Sequence, residues 1–112
     1  MVNANTRFTV MTNSSPTEII NGRLNAMPGL RIVLDIYSKK KYNKDFTRLV
    51  VEDLKCAYEV LIDVLKSNET VELILRYILK AFVDDEEINS IILKVKKGEN
   101  IGVKDLLKQT AK

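Results

Sequence analysis

The sequence predicts an all-α fold, a compact bundle of about five helices around a long central helix at 46–66. Three observations carry this. Apolar residues recur at spacings of three and four along most of the chain. Helix-start signals, Ser15 with Glu18 and Asp84 with Glu87, stand just ahead of such runs. Only two Pro and four Gly interrupt 112 residues.

Residues 1–15 read as a polar arm, in which Phe8 and Val10 alternate with Thr as in a short edge strand over Thr6–Met11. The domain proper is expected to be 16–112. Ser15 fits an N-cap, Pro16 the first helical position, and Glu18 the reciprocal half of a capping box. Ile19, Ile20 and Leu24 are expected to face inward, and Asn21-Gly22 to weaken this helix and end it early. After Pro28-Gly29, residues 30–41 carry two patterns. Leu30, Val33, Leu34 and Tyr37 match a helical stripe, while Leu30, Ile32, Leu34 and Ile36 alternate as in a strand. Helix is favoured, because strongly helical sequence follows and no partner strand exists.

Lys39 to Lys44 reads as a basic turn, after which Asp45 can cap the central helix. That helix has a regular polar stripe, Arg48, Glu52, Lys55, Glu59, Asp63 and Lys66, widened by Asp53. The rest is almost wholly apolar, so it is expected to be packed on most sides. Ser67-Asn68 breaks it, and a helix from Glu69 to Val83 follows with Val71, Ile74, Leu75, Ile78, Leu79 and Phe82 inward. Asp84 starts the next helix, whose core stripe is Ile88, Ile91, Ile92 and Val95. Its last turn holds lysines that suit the dipole, and Gly98 is a natural C′ residue. A short closing helix, about Val103 to Gln109, docks with Val103, Leu106 and Leu107.

Charge is partitioned along the chain. Residues 1–45 carry a net +4, residues 46–93 a net −5, and residues 94–112 a net +4, which together make the overall +3. Sign asymmetry of this kind bears on partners and not on fold.

Composition removes several classes of chemistry. There is no histidine, hence no Ser-His-acid or Cys-His nucleophile and no imidazole metal ligand. Cys56 is the only cysteine, which rules out an internal disulfide and makes a Cys-based metal site implausible. Off the polar stripe, it reads as a small core residue. The acidic run Asp84–Glu87 lacks the spacing of a calcium loop and is explained by helix capping. Glu52, Asp53, Glu59 and Asp63 lie on a wet helix face, where surface charge is a better reading than acid–base catalysis. Asn13-Ser14-Ser15 and Asn68-Glu69-Thr70 match the glycosylation pattern by chance, since no secretory signal is evident. With no apolar run near the roughly 18 residues of a membrane span, a cytoplasmic, soluble protein is expected. No cofactor or metal site is expected.

What remains are two basic clusters: Lys39, Lys40, Lys41 and Lys44 with Tyr37 and Tyr42 interleaved, and Lys94, Lys96 and Lys97. Both suit phosphate binding, with Arg31 and Lys104 as outer contributors and Tyr42 placed to stack on an unpaired base. Lysine is a point charge without the fork that reads guanine edges, so binding should be weakly sequence-specific at most. The sequence therefore suggests a non-enzymatic nucleic-acid-binding subunit of a larger nucleoprotein assembly, with a protein partner or self-association through apolar helix surface. In size, class and charge, though in no motif, it resembles the small helical subunits of CRISPR effector complexes. The alternative is a protein-interaction or self-assembling structural subunit, coat-like or scaffold-like. Val51, Val60, Val64, Leu73 and Val83, beside the main stripes, are expected to be covered by the other helices; left uncovered, they and the acidic stripe would be its working face.

Overall fold

Residues 15–110 are described by a computed structural model, with side chains through Leu106. They form seven helices: α1 (Pro16–Asn25), α2 (Pro28–Tyr42), α3 (Phe46–Glu52), α4 (Leu54–Leu65), α5 (Asn68–Leu79), α6 (Asp85–Lys96) and α7 (Val103–Thr110). The strand expected at Thr6–Met11 and the side chain of Leu107 lie outside the described residues. One buried cluster draws on all seven helices, from Ile20 and Leu24 through Phe46, Leu54 and Leu61 to Val103 and Leu106. Each fully buried side chain of this size contributes roughly 1.5–3 kcal/mol. The packing centre is α4, which lies against α2, α3, α5 and α6.

The caps follow local chemistry. Ser15 and Glu18 form the reciprocal box, with each side chain bonded to the other's backbone N–H at 3.2 Å. Asp45, Ser67 and Asp84 accept from the N–H groups of Arg48, Thr70 and Glu87. At the end of α6, Gly98 has φ +90, and Glu99 N–H donates to the Lys94 carbonyl while Gly98 N–H donates to that of Val95. This is a Schellman closure, which requires a residue without strain in the left-handed region.

The long central helix expected at 46–66 is two helices. Asp53 is extended (φ −154, ψ 92) and caps α4, its carboxylate accepting from Lys55 and Cys56 N–H. The cause lies about fifty residues downstream. Leu54 N–H donates to the Ile101 carbonyl at 2.8 Å instead of continuing the helix. Gly102 is seated so close to the α3 carbonyls that a Cβ there would lie 2.2 Å from the Val51 oxygen. The 101–102 segment thus wedges into the joint, and Val103 and Leu106 behind it are buried.

Two further expectations are corrected. α1 runs through Asn21-Gly22 to Asn25, because the Asn21 side-chain oxygen accepts from Arg31 (2.8 Å) and from the buried Thr47 hydroxyl (2.7 Å). Helix α2 forms, but in a different phase from the expected stripe. Leu34 and Ser38 are buried, whereas Val33 and Tyr37 face out. Of the five apolar residues expected beside the main stripes, Val60 is buried and Val51, Val64 and Val83 pack against the core. Only Leu73 is exposed.

Candidate nucleic-acid interface

Lys39, Lys40 and Lys41 occupy the last turn of α2 rather than a free loop, and Asn43 closes that turn in the left-handed conformation (φ 62). Lysines there complement the negative end of the helix dipole. Lys94 and Lys96 sit in the last turn of α6 and Lys97 is its C-cap, for the same reason.

Apart from Lys44, which reaches to Glu52 at the α3–α4 joint, both clusters lie at one end of the bundle. Lys41 Nζ is 3.0 Å from Asp63, near the end of α4, and Lys96 is ion-paired with Glu72, in the second turn of α5. Asp63 stands three residues and Glu72 five from the turn joining α4 to α5, or roughly 5 and 7 Å of helix rise. Tyr42 donates its hydroxyl to Glu59, which sets the end of α2 beside the middle of α4.

The opposite end carries the acidic run Asp84–Glu87. α5 and α6 run antiparallel, as the Glu72–Lys96 and Arg76–Asn89 pairings require. Asp84–Glu87 consequently lie about 15 Å along α6 from its lysines. Acids are not confined to that end, since Glu69 in the first turn of α5 and Glu99 just after Lys97 are exposed beside the lysines.

The lysines are not equivalent. Lys41 pairs with Asp63, Lys44 with Glu52 at 2.8 Å, and Lys96 with Glu72. The ion pair with Asp63 raises the Lys41 ammonium above its ordinary range, and Glu72 does the same to Lys96. Lys44, then Arg48, lowers the Glu52 carboxyl. Lys39, Lys40, Lys94 and Lys97 have no ion pair among the described residues and are exposed, as is Lys66 at the same end. Sequence reasoning passed over Lys66 as one member of a polar stripe. It is the C-cap of α4 with φ 58, which turns it out of that stripe. Lys104 is exposed on α7, and Arg31 is held by Asn21, Asn25 and Asp35, so neither joins the clusters.

Tyr42 is half-buried. Burial, then the bond to Glu59, pushes its phenol up, and Lys41 lies over its ring at 5.8 Å. Cys56 is also partly buried; desolvation, then its bond to Asp53, pushes its thiol up, the reverse of what an attacking thiolate needs. Among the described residues no group of His, Cys, Asp or Glu is placed to hold a metal ion, and no helix is long and apolar enough to cross a membrane. Comparison with known proteins matched no family model, no curated protein and no solved structure.

Proposed function

We propose that this chain is a non-enzymatic nucleic-acid-binding subunit that contacts backbone phosphates through its basic end and works within a larger nucleoprotein assembly. The observation that carries this reading is the convergence of the α2 and α6 lysine clusters beside the α4–α5 turn. Asp63 and Glu72, which would otherwise repel phosphate there, are each neutralised by a lysine of the same clusters, and of the acids at that end Glu69 and Glu99 stay exposed. Lys39, Lys40, Lys66, Lys94 and Lys97 are the phosphate contacts. Lys41 and Lys96 keep Asp63 and Glu72 neutral, while Lys44 pairs with Glu52 at the α3–α4 joint. Tyr42, whose hydroxyl is engaged, is not needed: the proposal rests on charge alone, with little discrimination among sequences.

Fluorescence anisotropy with short labelled oligonucleotides, at two or more salt concentrations, tests this. Five phosphate contacts predict a log–log salt slope of about −4 and affinity in the range of roughly 10⁻⁴–10⁻⁶ M near physiological salt. No binding at low salt would dismiss the proposal.

A second reading, a protein-interaction module, is favoured by a separate observation. Ile32, Val33, Ile36 and Tyr37 form an exposed apolar face on α2, between 40% and 61% accessible.

A further inference from the structure

The outer face of α2 is inverted relative to an ordinary surface helix. Ile32, Val33, Ile36 and Tyr37 stand at i, i+1, i+4 and i+5, which makes a contiguous apolar strip. Gly29 precedes it with open space around its Cα, which permits close approach of another backbone. Lys39 and Lys40 end the strip, and with Asp35 and Ile36 they line an open depression on the helix.

A second exposed apolar patch lies on the α5–α6 pair. Leu73 is 66% and Leu93 59% accessible. The Glu72–Lys96 and Arg76–Asn89 pairings bracket them, which fixes both leucines on the same stretch of the paired helices. Seven residues before Leu93 on the same helix face stands Glu86, exposed and without an ion pair among the described residues, in the Asp84–Glu87 run.

We infer that these two faces bind each other between copies of this chain, α2 of one copy lying across Leu73 and Leu93 of the next. The charges fix the direction. From the middle of the α2 strip to Lys39 and Lys40 is about 8 Å of helix, and from Leu93 to Glu86 about 10 Å. Laid antiparallel to α6, α2 brings its lysines to the acidic start of α6 and opposes the two helix dipoles favourably. The reverse direction would set Lys39 and Lys40 against Lys94 and Lys97. One leucine of the second copy enters the depression beside Ile36. Because the two faces differ, the contact is head-to-tail and propagates unless the rotation closes a ring. Six apolar side chains over three helical turns fall short of a standard interface of about 800 Å² per partner. Association is therefore reversible and concentration-dependent. It shares Lys39 and Lys40 with the phosphate-binding end but does not depend on that function.

Sedimentation velocity of the full chain over a wide concentration range, with Ile36→Glu and Leu93→Glu variants, tests the inference. Both positions are exposed, and unchanged circular dichroism melting confirms folding. The wild type should rise in mean mass beyond a dimer with concentration, and each variant alone should remain a monomer. Mixed, the two variants should form a 1:1 dimer and nothing larger, since each retains one intact face. A wild type that stays monomeric throughout would overturn the proposal. So would association unaffected by either substitution. One variant still dimerising alone while the other does not would indicate a symmetric contact of one face with itself and refute it, as would variants that stay monomeric when mixed.

Discussion

Replacing Gly102 by alanine tests the explanation of why the central helix is broken. The added Cβ would lie 2.2 Å from the Val51 oxygen and 2.7 Å from that of Glu52, both backbone atoms. Close carbon–oxygen contacts settle near 3.3 Å or more, so the 101–103 segment must retreat by about 1 Å. That retreat loses the bond from Leu54 N–H to the Ile101 carbonyl, leaving a donor unpaired at about 1–3 kcal/mol. It also loosens Val103 and Leu106, both essentially inaccessible. A loss of about 3 kcal/mol follows, or roughly 15 °C in Tm for a domain of this size. Urea denaturation and thermal melting both report it. Gly22→Ala is the matched control, because nothing lies within 4 Å of a Cβ there and the residue is inside α1. It should stabilise by about 0.5–1 kcal/mol. A Gly102→Ala protein within about 0.5 kcal/mol of wild type would refute the wedge.

Three other outcomes follow from individual residues. Lys66→Gly should raise stability by about 1 kcal/mol in chemical denaturation, because Lys66 holds φ 58 while its side chain is exposed. Asp53→Ala should lower it by about 1–2 kcal/mol, since this carboxylate caps α4 and also accepts from the Cys56 thiol. Tyr42 holds its proton more tightly folded than unfolded, so its contribution is full below the ordinary phenol range, near pH 10, and is lost as pH rises above it. Tyr42→Phe should therefore flatten the alkaline limb of a stability–pH profile and cost about 1 kcal/mol at neutral pH.

Local signals were legible in the sequence wherever the cause was local. The Ser15 box, the Asp45 and Asp84 caps and the Gly98 closure depend on residues within one helical turn, and each formed as expected. Misreadings arose where a distant segment decided. The stripe through 46–66 is continuous on paper, and only the arrival of Ile101 and Gly102 opens it at Asp53. Asn21-Gly22 reads as a terminator until Arg31 and Thr47 bind Asn21 across the fold.

α2 was ambiguous for a physical reason. It carries apolar residues around more of its circumference than one buried stripe needs, so both a strand and a wrong helical phase fitted. That surplus was itself the signal of an exposed apolar face. For the candidate interface, sequence identified the two lysine clusters but had no means of placing them together. Their convergence depends on the antiparallel pairing of α5 with α6 and on the docking of α2 along α4.

The central claim is that these clusters act as one surface. The most direct measurement is the salt dependence of oligonucleotide affinity for the wild type, Lys39→Gln/Lys40→Gln, Lys94→Gln/Lys97→Gln and the fourfold variant. Each pair should reduce the magnitude of the log–log slope by about 2, and the fourfold variant by about twice that. A slope that responds to one cluster and ignores the other would contradict a single shared surface.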